Sequence, residues 1–394
     1  MRVRRALIPL LALACGLTVA NLYYSQPLLD LIADAFGVSE GAATVVVTLT
    51  QIGYALGLLL LLPLGDLVEN RRLTTRLLLG TAASLLVAAL APAYPIFLVF
   101  SILIGVTSVV AQILVPFAAH LAPPSQRGAI VGKVMGGLLL GILLARTVSS
   151  FIGGLWGWRA IYFISAGLML ALAAVLYRML PQRLPEHTEG YGSLLRSVLD
   201  LARSEPALRR RALCQGLLFG AFSAFWTAIA YELINEHGFG QSQIAIFALI
   251  GAGGAAAAPI AGRLADRGYG SWGSGGALLL AALMALLAAA GHRSVIVLAA
   301  AGVLLDFAVQ AHQVMSQHEI YALRADARAR VNTVFMTTVF TGGAISSGLT
   351  GALHHRYGWT GACLLAAACA TAALTVWAVA HWRASSRLRE LAAR

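Results

Sequence analysis

Twelve long runs of apolar residues constrain this chain more than any other feature of its sequence. A helix needs about 20 predominantly apolar residues to cross the hydrocarbon core of a bilayer. Only 11% of the 394 residues are charged, less than half the share of about 25% that is typical of soluble domains. We therefore predict an all-α membrane protein with twelve transmembrane helices. The predicted spans lie at about 7–29, 41–64, 75–92, 96–120, 131–155, 159–180, 212–234, 243–262, 274–291, 294–317, 332–353 and 359–382.

The cations are distributed very unevenly over the predicted loops. Of the 28 Lys and Arg residues, 24 fall on one side of the predicted membrane. The other side has Arg159, Arg293 and Arg356, and Arg146 lies within a span. Cytoplasmic loops collect Lys and Arg, so we expect a multi-pass protein with both termini in the cytoplasm. The same rule explains the net charge of +12, and we expect no nucleic-acid partner.

The chain reads as two similar halves of six spans each. Residues 181–210 carry Pro181, Pro185 and Pro206, which are typical of a linker. We therefore predict an N-terminal six-helix bundle at 1–180, a cytoplasmic linker at 181–210 and a C-terminal six-helix bundle at 211–394. Matching residues recur at an offset of 201, which indicates a duplication with a parallel repeat. The matches are Arg127 with Arg328, Met135 with Met336, Gly141 with Gly342, and Gly157-Trp158 with Gly358-Trp359.

Two charges lie well inside predicted spans, and such charges are costly and usually functional. Arg146 is in the fifth span and Asp306 in the tenth, both near the middle of the bilayer. One interpretation is a buried structural ion pair. The other is that Asp306 takes up and releases a proton, while Arg146 binds Asp306 or an anionic part of a substrate.

Polar and aromatic residues follow helical spacing on the first, fourth, seventh and tenth spans. On the tenth, Asp306 is followed by Gln310, Gln313 and Gln317 at spacings that place them on one face. Such stripes could line a polar passage or could bond neighbouring helices together, and the aromatic residues could stack on a ligand or simply pack. The candidate substrate-binding residues are Asn21, Tyr24, Gln26, Gln112, Arg146, Phe222, Trp226, Gln310 and Gln313, and the candidate proton-coupling residue is Asp306.

Two loops carry matching charged motifs, one in each half. The second reads Gly262-Arg-Leu-Ala-Asp-Arg-Gly268, and the first, from Pro63 to Arg72, keeps an Asp and an Arg pair. The second motif closely resembles the signature of the major facilitator superfamily of transporters. An Asp at a helix N-terminus facing Arg would form a latch that holds one conformation. The candidate latch residues are Asp66, Arg71, Arg72, Asp266 and Arg267.

The resemblance extends over essentially the whole chain. The stretches Asn21–Leu29 and Ala111–Pro116 resemble a bacterial inner-membrane branch near the drug–proton antiporters and sugar exporters. This implies that helices one, four, seven and ten line a central cavity. Two departures weaken the inference of proton antiport. Ser101 stands where many antiporters have Arg, and the Gly-Pro element of the fifth span is replaced by a stretch from Gly141 to Arg146.

Taken together, these features predict a secondary transporter that moves a small molecule by alternating access. We expect proton-coupled efflux across the bacterial inner membrane, with a proton-coupled uptake symporter or a facilitator as the alternative. A non-transporting sensor or scaffold is a more distant alternative. We expect no enzymatic activity, no cofactor and no metal site, and a monomer whose partners are its substrate, protons and lipid.

Overall fold

The computed structural model describes residues 2–121, 126–182, 190–324 and 327–392. Residues 183–189 of the predicted linker lie outside this part of the chain. The described chain is all-helical, as predicted. Its α-helices are α1 (Arg2–Ala20), α2 (Leu29–Phe36), α3 (Glu40–Ala43), α4 (Val45–Leu60), α5 (Asn70–Leu90), α6 (Tyr94–Thr107), α7 (Val110–Leu121), α8 (Arg127–Trp156), α9 (Trp158–Met179), α10 (Tyr191–Ser204), α11 (Pro206–Asn235), α12 (Gln241–Ile250), α13 (Ala257–Asp266), α14 (Gly270–Ala290), α15 (Val295–Leu323) and α16 (Arg328–Ala392).

The helices are consistent with the twelve predicted spans. Nine segments of the described chain are long and apolar enough to cross a membrane. One of these, Arg328–Arg383, contains two predicted spans, and the backbone changes direction between them at Gly358. Two shorter apolar helices, Leu7–Ala20 and Gln241–Ile250, correspond to the first and eighth spans.

The predicted duplication is visible in the turns between paired helices. Gly157 and Gly358 have φ angles of 80° and 56°, and each ends one span and begins the next. Positive φ is readily adopted by glycine because it has no Cβ. Each glycine is followed by a Trp that is 4% exposed, Trp158 in the first half and Trp359 in the second.

Glycines at matching positions in the two halves determine how closely the helices of each half approach one another. A Cβ on Gly141 of α8 would lie 2.2 Å from the carbonyl oxygen of Gly16 of α1. A Cβ on Gly342 of α16 would likewise lie 2.2 Å from the carbonyl oxygen of Gly216 of α11. The small residues therefore bring the two backbones of each pair into direct contact, as expected for helices packed in a membrane.

Several of the predicted spans are not continuous helices, and the second, for example, is broken at Thr44 between α3 and α4. Between α1 and α2 the chain forms turns at 21–25 and a 3₁₀ segment at Gln26–Leu28. The fourth span is broken at 108–109, between α6 and α7. The eighth has a glycine-rich 3₁₀ segment, Gly251–Ala256, between α12 and α13. Interrupted helices expose backbone groups, which membrane proteins tolerate where protein surrounds them or where they line a cavity.

The two halves meet most extensively at the end of the bundle that has few arginines, the arginine-poor end. The hydroxyls of Thr48 and Ser347 lie 2.9 Å apart. Ser150 donates to the backbone oxygen of Gln241 at 2.8 Å. At the opposite, arginine-rich end, the Asn332 amide donates to Gln112 at 3.1 Å.

The segment predicted to be a linker contains helical structure. Helix α10 buries Leu194, Val198 and Leu201, and the Tyr191 hydroxyl donates to the backbone oxygen of Leu60 at 2.8 Å. The following helix α11 begins at Pro206, within the predicted linker. Proline suits the first turn of a helix, where its missing N–H has no intrahelical partner.

Candidate functional site

Arg146 is the centre of the candidate site. It lies on α8, about 15 Å from the end of that helix at Trp156, and its side chain is 1% exposed. Its Nε donates to the Gln26 side-chain oxygen at 2.8 Å. Gln26 begins the 3₁₀ segment within the interruption between α1 and α2, so the break in the first span brings an amide to the buried guanidinium.

Three aromatic rings surround the guanidinium of Arg146. Its Cζ lies 4.1 Å from the ring centroid of Trp226, 4.9 Å from Phe222 and 5.2 Å from Tyr23. A cation over an aromatic face is stabilised by about 2 kcal/mol or more when both are removed from water. The cage therefore offsets part of the cost of burying the positive charge.

Asp306 contacts the same tryptophan at its indole N–H. It lies on α15, about 17 Å from the end of that helix at Val295, and is 3% exposed. The indole N–H of Trp226 donates to its Oδ1 at 2.8 Å. A Cβ on Gly251 would lie 3.0 Å from Oδ2, and one on Gly254 would lie 2.6 Å from the Asp306 Cβ. The glycine-rich 3₁₀ segment of the eighth span thus gives α15 the room it needs to place this carboxyl group.

The site is built from both halves of the molecule. Gln26 and Arg146 come from the first half, and Trp226 and Asp306 from the second. The ion pairs of the described residues do not include one between Arg146 and Asp306. Trp226 links the two charges instead, because its ring faces the cation and its N–H faces the carboxylate.

Two buried donors, on two side chains that are hydrogen-bonded to one another, have no hydrogen-bond partner. They are Nη2 of Arg146 and Nε2 of Gln26, and both side chains are at most 1% exposed. Buried polar groups are paired in the great majority of cases. The adjoining cavity has a volume of about 10 Å³, enough for roughly one water molecule. Its wall is mostly apolar and includes Ile229, Leu233, Ile244 and Phe247.

Other candidates from the first span face elsewhere. Asn21 accepts from the Ser165 hydroxyl of α9 at 2.6 Å, and its amide donates to the backbone of Thr18 at 3.1 Å. Tyr24 is buried, but the tyrosine ring beneath Arg146 is that of Tyr23, which the sequence analysis did not select.

The glutamine candidates lie between Asp306 and the arginine-rich end or near that end. Gln112 accepts from Asn332, which joins α7 to α16 across the two halves. Gln313 accepts from the Gln215 amide at 3.4 Å. Gln310 is half-buried, one helical turn beyond Asp306.

A polar bridge between the halves was also missed from the sequence. The Gln51 amide of α4 donates to the Ser223 hydroxyl of α11 at 3.0 Å, and Gln51 is 1% exposed. The signal was available, because a glutamine within an apolar span requires a hydrogen-bond partner. The second span was not among those that the resemblance assigns to the cavity, so its polar residue was not considered.

Three of the latch candidates, Arg71, Arg72 and Asp266, have ion-pair partners that were not among the candidates. In the first loop it is Glu69 that binds Arg71 at 3.4 Å and Arg72 at 3.0 Å, while the side chain of Asp66 lies outside the described residues. In the second loop, Asp266 lies 3.6 Å from His318, and its carboxylate is 74% exposed. The neighbouring Arg267 follows directly after the end of α13.

Comparison with known proteins agrees with this architecture. A family model described as Major Facilitator Superfamily matches residues 11–318 and 212–393. The transporter YgaY of Escherichia coli K12 is 42% identical over 383 residues, covering 97% of this chain and 96% of YgaY. SCO4007 of Streptomyces coelicolor, also named a transporter, is 34% identical over 384 residues, covering 97% of this chain and 87% of that protein. The solved structure of the nucleoside transporter NupG superposes with a TM-score of 0.75 at 13% identity, covering 95% of this chain and 99% of NupG.

Proposed function

The chain belongs to the Major Facilitator Superfamily, and on that premise we propose that it is a proton-coupled secondary transporter in which Asp306 carries the proton. As a member of this family it is a multi-pass membrane transporter of a small molecule and not an enzyme. Alternating access moves the two halves of such a protein about a site near the middle of the bilayer. The proposal concerns which residues form that site and what drives transport.

One observation carries the proposal: two buried, opposite charges from different halves meet at one tryptophan. Trp226 donates to Asp306 at 2.8 Å and lies under Arg146 at 4.1 Å. Protonation of Asp306 would remove the negative charge and leave Arg146 without its counter-charge. Because the partners sit on different halves, that change alters the energy of their contact and can bias the conformation of the whole molecule.

We propose that the bound substrate contacts Gln26, Arg146 and Trp226, which line the cavity, and also Phe222, whose ring lies 4.9 Å from the Arg146 guanidinium. Residues Gln112, Gln310 and Gln313 would line the passage to the arginine-rich end. Asn21 and Tyr24 would hold the interrupted first span in place from the opposite face. The charged loops that contain Asp66, Arg71, Arg72, Asp266 and Arg267 would exchange partners as the halves move.

We further propose that the protein is a monomer in the bacterial inner membrane, with the arginine-rich end in the cytoplasm. The loop charges support this orientation. With the opposite end closed by Thr48, Ser150 and their partners, a site that opened in this state would open toward the cytoplasm.

Efflux by exchange for protons is the direction that the resemblance to drug–proton antiporters and sugar exporters supports. Cotransport of substrate and proton is the second candidate. The charges at the site favour cotransport if the substrate is an anion, because Arg146 lacks a counter-charge only when Asp306 is protonated.

Reconstituted protein tests the role of Asp306. A ligand is first selected by its stabilisation of the purified protein in a panel of metabolites and antibacterial compounds. Asp306→Asn should then abolish flux driven by a pH gradient in proteoliposomes, while ligand binding survives. The matched control is Asp200→Asn, the same substitution at an exposed position on α10. Gradient-driven flux that is undiminished in Asp306→Asn would remove Asp306 from the mechanism.

A further inference from the structure

We infer that the substrate is a monoanion with an apolar body, whose anionic group binds between Arg146 and Gln26. This inference rests on the proposed function, because it assigns a substrate class to the same site. It starts from the two unpartnered donors, Nη2 of Arg146 and Nε2 of Gln26.

The two unpartnered donors require a particular kind of hydrogen-bond acceptor. Nε of Arg146 already donates to the oxygen of Gln26 at 2.8 Å, which fixes the side chains relative to one another. The free Nη2 and Nε2 are therefore both N–H donors on neighbouring groups. A carboxylate has two oxygens that act only as acceptors, and it binds guanidinium through charge-assisted hydrogen bonds. A neutral amide offers one acceptor oxygen without charge and adds two N–H donors, and an ammonium group offers donors only.

The surroundings determine the rest of the ligand. The cavity next to the two donors is walled by Ile229, Leu233, Ile244 and Phe247, with Trp226 at its edge. Such a wall favours an aliphatic or aromatic group and offers a second anionic group no partner. A ligand with one carboxylate and an apolar body therefore matches the site better than a dicarboxylate or a sugar.

The present cavity of about 10 Å³ holds less than any such ligand. A larger cavity requires its walls to separate, and these walls come from both halves, with Gln26 and Arg146 from the first and Trp226 and Phe247 from the second. Loading of the ligand is therefore coupled to the movement of the halves that transport requires.

Charge also links the anion to the proton. Among the described residues, the titratable and charged groups that face the site are Tyr23, Arg146 and Asp306. With Asp306 ionised, the two charges sum to zero, and a bound anion would add an uncompensated negative charge. With Asp306 neutral, the anion replaces that charge. The anion should therefore bind together with a proton, which favours cotransport over exchange.

Four phenyl compounds of matched shape test the inference on purified protein: 3-phenylpropionate, 3-phenylpropanamide, 3-phenylpropylammonium and 4-(2-carboxyethyl)benzoate. Affinity is measured by thermal stabilisation over a range of ligand concentrations. We expect 3-phenylpropionate to bind more tightly than its amide by a factor of about ten or more, because a hydrogen bond to a charged group changes an affinity by at least about that factor. Binding should be strongest in Asp306→Asn, which imitates the protonated site.

The variants separate the anion's contact from a structural role. Arg146→Gln should remove the preference for the carboxylate, whereas Arg146→Lys should keep part of it, and Gln26→Met should reduce it. The selectivity of the unaltered protein is informative even where a variant fails to fold. Equal affinity for the amide, tighter binding of the ammonium or dicarboxylate, or no stabilisation by the monocarboxylate would overturn the inference.

The failure of this inference differs from the failure of the proposed function. Proton-coupled flux of a neutral or cationic ligand, with no preference for the carboxylate, would refute the anion site and leave the transporter mechanism intact. Selective carboxylate binding without any response of flux to a pH gradient would refute the proton coupling and leave the anion site intact.

Discussion

The contact between α1 and α8 leads to a prediction about both stability and binding. In Gly141→Ala, the new Cβ would lie 2.2 Å from the Gly16 carbonyl oxygen and 2.4 Å from the Gly16 Cα. Non-bonded carbon atoms are in favourable contact at about 3.5 Å or more. The two helices would have to separate by about 1 Å to make room. Overpacking of this kind typically costs about 1–3 kcal/mol.

The separation would also reach the candidate site. Arg146 lies five residues beyond Gly141 on α8, and Gln26 lies beyond the end of α1. Their hydrogen bond is 2.8 Å long, and an added separation of about 1 Å would take it beyond the range of hydrogen bonding. We therefore expect Gly141→Ala to have two effects at once. It should lower the free energy of unfolding in mixed micelles, and it should weaken the binding of a stabilising ligand.

Gly136 provides a matched control on the same helix. A Cβ on Gly136 meets nothing within 4 Å, so Gly136→Ala should leave binding unchanged and stability equal or slightly higher, because alanine favours helix. If Gly141→Ala matched Gly136→Ala in both measurements, the close approach of α1 and α8 would not govern the site, and the reasoning would be refuted.

Two further predictions concern contacts between or within the halves. Glu40 lies 3.6 Å from His354 at the arginine-poor end. Glu40→Gln should weaken the contact between the halves there by at most about 1 kcal/mol, which is roughly fivefold in the population of the closed state. A cysteine introduced at Thr48 should then react faster with maleimide, and an unchanged labelling rate would count against this prediction. Trp226→Phe keeps an aromatic ring but removes the N–H that donates to Asp306. The ligand-free variant should be less stable than the unaltered protein by about 1–2 kcal/mol. Equal free energies of unfolding for the variant and the unaltered protein would show that this hydrogen bond contributes nothing.

The glycine and tryptophan pairs show what a single sequence can predict at the level of architecture. Gly157-Trp158 and Gly358-Trp359 were matched by their offset of 201 alone, and the structure places both at equivalent turns. Such residues are predictable because the constraint is local: glycine allows the positive φ and the next residue begins a helix.

Site residues on the first span were harder to predict for a definite physical reason. Tyr24 was selected on the assumption that helical spacing continues through residue 25. The chain is not helical there, and the interruption turns Tyr23 toward Arg146 and Asn21 toward Ser165. When helical spacing is extended through such a break, it predicts the wrong neighbours for the residues beyond the break.

The amino-acid sequence by itself determined the membrane setting, the helical class, the repeat and the presence of one buried cation and one buried carboxylate. These follow from hydrophobicity, from charge and from spacing along the chain, which the bilayer restricts strongly. Only the tertiary structure decided that Arg146 and Asp306 share Trp226, that Gln26 completes the donor pair and that Gln51 joins the halves. Those contacts depend on where helices break and how closely glycines let them approach, and both are set by packing between segments distant in the sequence.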